Sequence, residues 1–328
     1  MEIYVKENAH PDLLRREEIK QQVKQNFEDQ INLLEDLVNY GTQLLIRCLP
    51  KNKIEFEDSI IIGVLFKHSL MLLDSVHILI KHGSILSSQL PARGLFETLL
   101  YIEWLLKDDT KLRCKRYLVH YYLLHKMEAK LFISKLNSSK IFENSYKRTA
   151  AKLSYDPDKS EDIANEMILK IEDMLNSEKF INIKLEFENY KKENHRHANW
   201  YSINGPSNLC DLAEKLDRGI NYFIHYRHLS RIMHAMVHEE QLDINKNTLR
   251  LKPIRNLTQI DKVISASINF ILNIYVVIIK NYRPDELRTF GKKYIEKWRE
   301  RYSYIKEVKY VDVEDNSDRS GAAPLGVD

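Results

Sequence analysis

The densest concentration of reactive side chains lies between His195 and His238, which holds six of the 12 histidines in the chain. Its centre reads His225-Tyr-Arg-His-Leu-Ser-Arg-Ile-Met-His-Ala-Met-Val-His238. Histidine exchanges protons near neutral pH, and arginine grips phosphate through a planar fork of donors. On an α-helix at about 100° per residue, with Arg227 at zero, Arg231 falls near about +40°, His234 near about −20° and His238 near about +20°. These four share one face, while Leu229, Ile232, Met233 and Met236 lie opposite. Such a face suits phosphodiester cleavage without a metal. One imidazole removes the proton of a ribose 2′-OH or protonates the leaving oxygen, and a guanidinium stabilises the charge of the phosphorane-like transition state. Two other readings of the same helix stand beside this one. An amphipathic helix can simply present a solvated polar face. The i, i+4 spacing of His234 and His238 can also present two imidazoles to Zn²⁺. Ala235, however, stands where the H-E-x-x-H pattern has its glutamate, so neither a metal nor another cofactor is expected.

A second polar feature lies upstream. In Leu90-Pro-Ala-Arg-Gly-Leu-Phe-Glu-Thr-Leu-Leu-Tyr-Ile-Glu-Trp104, Arg93 and Glu97 are spaced i, i+4 within an apolar stripe. Arginine before glutamate is the weaker order on a helix, and a buried ion pair is often no gain over apolar residues. The pair is better understood if a third group uses it. Arg93 or Glu97 is therefore expected to meet the His234 face and fix an imidazole tautomer. Trp200, after the basic His195-Arg-His197, is a candidate for stacking on a base, against the plainer reading of an anchor at a helix end. The loop around Asn204 to Ser207 is the candidate flap. His120 and His125, on a tyrosine-rich helix, read as packing residues, and the basic run from Lys292 to Arg301 reads as a solvated helix face.

Two signatures carry a family resemblance. Arg227-His228, five residues and His234 fit the R-x(4–6)-H pattern of HEPN domains; Arg231 with His238 fits it equally. Arg93-Gly-Leu-Phe-Glu97, followed by Tyr226-Arg-His-Leu-Ser230-Arg-Ile-Met-His234, resembles an all-helical bacterial family of unknown function. That family pairs an R-x-x-x-E helix with a Y-x-x-x-S-x-x-x-H helix, over about residues 55 to 282 here. The HEPN resemblance implies a metal-independent endoribonuclease, a toxin or antiphage (abortive infection) effector acting on RNA. It also implies a homodimer with a composite cleft, and an antitoxin or defence-system partner. Carried over, Arg227 and His234 form the catalytic pair and His228 takes the supporting polar position. Arg93, Glu97, Tyr226 and Ser230 line the same region, with Arg231 and His238 as further supporting residues. Some HEPN relatives serve as binding scaffolds, so a non-catalytic sensor or adaptor for a nucleotide or a protein is the alternative.

These faces need rigid elements, and the composition supplies them. The chain has 328 residues with only 9 Gly and 8 Pro, about 5% where roughly 12% is usual. Turn-dense β folds need Gly and Pro at many positions, so the deficit excludes them. No GxGxxG or GxxxxGK[ST] fingerprint occurs. With 50 Lys+Arg against 47 Asp+Glu, the net charge is +3, too little for a global polyanion footprint. Cys48, Cys114 and Cys210 are far apart and read as reduced cytosolic thiols. The first residues do not read as a signal peptide, and Ile268 to Ile279 reads as a buried core helix because a span needs about 20 apolar residues; a cytoplasmic location without membrane contact is expected. The predicted fold is an all-α, HEPN-like multi-helix bundle with extra N- and C-terminal helices. Helices are predicted between Pro11 and Pro50 and over about 56–82, 90–106, 109–136, 208–217, 219–239, 258–281 and 285–306, with shorter peripheral helices over 137–195. The expected organisation is an N-terminal helical segment (1–52), a core domain carrying the site (53–282), a C-terminal helix (283–311) and a disordered tail (312–328).

Overall fold

The computed structural model describes residues 11–48, 56–133, 144–145, 148, 156–233, 241–245, 248–306 and 308. The fold is all-α. A helical turn, Pro11–Leu14, precedes α1 (Arg16–Cys48). Then follow α2 (Phe56–Lys81), α3 (Ile85–Lys107), α4 (Thr110–Lys130), α5 (Pro157–Leu175), α6 (Ile181–Asn194) and α7 (Leu209–Lys215). The next helix, α8, is composite: Gly219–Asn221, a π-helical stretch Tyr222–Tyr226, and Arg227–Met233. A hairpin of β1 (Leu242–Asn245) and β2 (Thr248–Leu251) leads to α9 (Ile260–Tyr282). The C-terminal element α10 begins with a 3₁₀ turn at Pro284–Glu286 and runs through Leu287–Lys293, Tyr294–Trp298 and Arg299–Ser303.

The centre of the molecule is α1, α2, α3 and α9 packed on one another, with α8 against α3. Helix α9 turns Val263, Ile264, Phe270, Ile271, Ile274 and Tyr275 into this core, each at most 2% exposed. A fully buried side chain of this size stabilises by about 1.5–3 kcal/mol, so α9 is the main apolar contributor. By length and composition both α9 and residues 60–81 of α2 could cross a membrane. The 268–279 stretch is a buried part of a core helix, as expected, with Ile268, Ile271, Ile278 and Ile279 at most 1% exposed. Its residues are packed against the other helices. Tyr275 also donates its hydroxyl to the Leu37 carbonyl at 2.5 Å, tying α9 to α1. This close approach needs Gly41, where a Cβ would overlap the Leu70 side chain and the Tyr275 hydroxyl.

The first and last segments are part of the same core. Tyr40 of α1 meets Trp298 of α10 edge to face at 5.2 Å, and Lys293 Nζ lies 4.8 Å from the Tyr40 ring centre. Gln30 Nε2 donates to the Arg301 carbonyl at 3.0 Å, and Arg301 pairs with Asp36 at 2.6 Å.

Three differences from the sequence expectation stand out. Helix α3 starts at Ile85, not 90, so Pro91 lies inside it. The start is set by the turn at Gly83, whose φ of +74° is easy only for glycine. The hairpin was not expected. It pairs Leu242 with Leu251 and Asn245 with Thr248. The alternation in Leu-Asp-Ile-Asn and Thr-Leu-Arg-Leu, flanking Lys246-Asn247, is the signal that identifies it. Third, the predicted 219–239 helix has a π-helical stretch in place of regular α geometry at Tyr222–Tyr226. The tail from 312 to 328 lies outside the described residues.

Candidate functional site

The site is built where α8 lies against α3. Both signature motifs face each other there. Arg93 Nη2 donates to the Tyr226 hydroxyl at 2.8 Å, and that hydroxyl donates to Glu97 Oε1 at 2.9 Å. Arg93 and Glu97 also pair directly at 3.0 Å, with side chains 19% and 27% exposed. The i, i+4 spacing puts both charges on the α3 face that meets the phenol. Tyr226 is thus a group that Arg93 and Glu97 share.

The electrostatics fix the proton positions. Burial pushes the Tyr226 pKa above its ordinary value and the Glu97 carboxylate adds to this, outweighing the opposing pull of Arg93. The phenol stays protonated and can donate. Burial works against the charge on Arg93, but the Tyr226 hydrogen bond and the Glu97 carboxylate more than offset it and raise its pKa. Burial and then Glu97 push Tyr101 up strongly and Tyr201 up to about 12. Glu97 is thus surrounded by neutral phenols. The Tyr226 ring stacks on Tyr222 at 5.0 Å and leans on Phe96 at 5.7 Å, and the Arg93 guanidinium lies 5.0 Å from its centre.

Two further clamps hold α8 in place. At its start, Arg218 pairs with Glu103 at 2.5 Å and reaches Asn273 of α9 at 3.0 Å. Past the π turn, His228 Nε2 lies 2.5 Å from Gln259 Oε1. Gln259 also accepts from Gln89 of α3 at 3.3 Å, and it sits in the left-handed region at φ +66° as the cap of α9. Glu103, Arg218, Asn273, Gln89 and Gln259 were missed as site-positioning residues. The one available signal was Asn273, a polar residue inside an apolar helix.

The expected residues separate into groups. Arg93, Glu97 and Tyr226 converge, and the Ser230 hydroxyl donates to the Tyr226 carbonyl at 2.8 Å, one turn along α8. His228 turns to α9. Arg227 does not join the cluster: it is exposed, with its guanidinium 5.8 Å from the Phe223 ring centre. His234 and His238 lie outside the described residues, as does the side chain of Arg231. The contact of Arg93 or Glu97 with the His234 face falls there too. Trp200 is a correction. It is 4% exposed and packed edge to face against Tyr101, Tyr117 and Tyr201, so it offers no face to a base. The 204–207 loop, the candidate flap, exposes Asn204 and Ser207 and is anchored on its N-terminal side. Tyr201 and Ile203 are buried, Arg116 holds the Ile203 carbonyl at 3.1 Å, and a Cβ at Gly205 would overlap the Tyr201 carbonyl oxygen.

Chemically, the cluster holds a neutral phenol between a cation and a carboxylate, with Arg93 and Glu97 partly open to a polar ligand. Among the described residues, no three His, Cys, Asp or Glu side chains converge as a metal centre would require.

No curated protein and no solved structure matches the chain significantly. One family model does, over residues 59–248, a stretch that includes the Arg93–Glu97 helix, Tyr226 and Ser230. That is more than half of the chain, and the protein therefore belongs to the family of unknown function DUF5677.

Proposed function

We propose that the protein is a metal-independent endoribonuclease of HEPN type, with Arg227 and His234 as the catalytic pair and RNA as substrate. The observation that supports this reading best is the placement of Arg227. Its guanidinium is exposed, yet the residue before it is locked to α3 through Arg93 and Glu97. A rigid backbone carrying an open guanidinium suits binding of a phosphodiester. In the proposed reaction His234 takes the proton from a ribose 2′-OH, whose oxygen attacks the adjacent phosphorus. Arg227 stabilises the charge that develops on the phosphoryl oxygens. The 5′-oxygen leaves taking a proton from water, to which His234 returns the proton it removed, and a 2′,3′-cyclic phosphate remains. Arg93, Glu97 and Tyr226 position the helix, while His228 and Ser230 fix its turns. The role that fits is a cytoplasmic toxin or antiphage effector, acting as a homodimer and restrained by an antitoxin or defence partner. Incubating the full chain with total RNA in EDTA tests this: Arg227→Ala and His234→Ala should each abolish cleavage while leaving the helical signal intact.

A second reading is favoured by a specific feature of the same helix. Ile220, Phe223 and Ile224 are 74%, 49% and 63% exposed, and they precede Arg227 by one to two turns. Exposed apolar side chains clustered beside a charged residue mark binding surfaces. A non-catalytic adaptor would capture a partner there, lose it in Ile224→Ser, and leave RNA uncut.

A further inference from the structure

A groove between α4 and α6 has the shape and charge of a small-molecule site. It is a cavity of about 210 Å³. Leu123, Met127, Phe187 and Ala198 supply its apolar lining. A cavity of about 150 Å³ with such walls accepts a benzene ring, so this one has room for a ring with a short polar arm. None of its lining residues belongs to the Arg93–Tyr226 cluster.

The charged rim is uneven. Lys126 is committed to Glu172 at 2.6 Å, and Glu188 lies 3.7 Å from Lys184. His120, His197 and Lys191 also line the groove. Among the described residues these three have no acidic partner. The His120 ring leans on Phe187 with centres 6.1 Å apart. Burial first, then the nearby His197, lowers the His120 pKa, and burial, then Lys191, lowers that of His197. The three groups are thus close enough to repel one another when charged. An anion seated among them would replace that repulsion with attraction, and charge-assisted hydrogen bonds of this kind are about twice as strong as neutral ones.

We infer that this groove binds a small aromatic carboxylate, with its ring on Met127, Phe187 and Ala198 and its carboxylate among His120, His197 and Lys191. The apolar walls alone would take any hydrophobe; the basic groups among them select the acid. The two histidines are then ligand contacts, a role beyond packing.

The test uses phenylacetate and its neutral isostere phenylacetamide, titrated into the full-length protein and followed by the imidazole C2–H signals of His120 and His197. Phenylacetate should shift both signals in a saturable way and bind at least about five-fold more tightly than phenylacetamide, a difference of about 1 kcal/mol. Lys191→Gln, at an exposed position, should weaken phenylacetate about five-fold and leave phenylacetamide unchanged. Equal binding of the acid and the amide would overturn the proposal, as would a Lys191→Gln protein that binds phenylacetate like the wild type. Unshifted His120 and His197 signals at saturating phenylacetate would do so too.

Discussion

The Tyr226 hydroxyl donates to Glu97 Oε1 at 2.9 Å, across 129 residues of sequence. This bond, with the Arg93 bond to the same hydroxyl, joins α3 to α8. Removing it should loosen α8 without unfolding the bundle. Tyr226→Phe leaves the Arg93–Glu97 pair in place and removes two hydrogen bonds, so a loss of about 1–2 kcal/mol is expected in urea unfolding. A double-mutant cycle with Glu97→Gln should show coupling of about 1 kcal/mol. Additive effects would mean that the bond contributes nothing.

The Arg218–Glu103 pair makes a similar prediction for the other end of α8. Glu103 is only 10% exposed at its side chain. Arg218→Ala leaves that carboxylate without its guanidinium partner, at a cost of about 2 kcal/mol after allowing for the partial exposure of Arg218. Amide exchange should accelerate across 219–233 more than in α9. Uniform acceleration throughout the protein would indicate a global effect instead.

Gly41 is predicted to be intolerant of any side chain. A Cβ there meets both Leu70 and the Tyr275 hydroxyl, so Gly41→Ala should lower stability by about 1–3 kcal/mol despite alanine's higher helix propensity. A stabilised Gly41→Ala protein, measured by its urea midpoint, would contradict the packing of α1 on α9.

Stability should also fall on mild acidification. Burial, then the nearby His228, lowers the His225 pKa, and burial, then His197, lowers that of His120. The unfolded chain, with histidines near the ordinary value of about 6.5, therefore binds more protons than the folded one as pH drops. The stabilisation is full above that value and is lost as pH falls through the lower folded value. The urea midpoint should decline between pH 7.5 and 5.5, and His225→Gln should flatten that decline. An unchanged slope would remove His225 from this account.

How far the sequence discloses these features depends on whether their cause is local. Helices follow from the Gly and Pro deficit and from periodicity, and the meeting of α3 with α8 was marked by Arg93, Glu97, Tyr226 and Ser230. Spacing alone marks Arg93 and Glu97 as a pair that a third group uses, but Tyr226 meets them only through the fold, across 129 residues of sequence. Trp200 illustrates the same gap. An aromatic beside His195, Arg196 and His197 reads as a base platform, but three tyrosines from α4, α3 and its own loop cover it. The Arg218–Glu103–Asn273 clamp joins three separate elements, and nothing in local spacing announces such a contact. The start of α3 was misplaced because Pro91 resembles a helix opener, whereas the turn at Gly83 sets the boundary.

The role proposed for Arg227 is phosphodiester cleavage without a metal. The most direct measurement is cleavage of total RNA by the full chain in EDTA, with the new termini identified. The wild type should leave 2′,3′-cyclic phosphate ends, and a folded Arg227→Ala protein should cleave at a rate about 100-fold or more lower. Undiminished cleavage by Arg227→Ala, or a wild type that leaves RNA intact, would contradict that role.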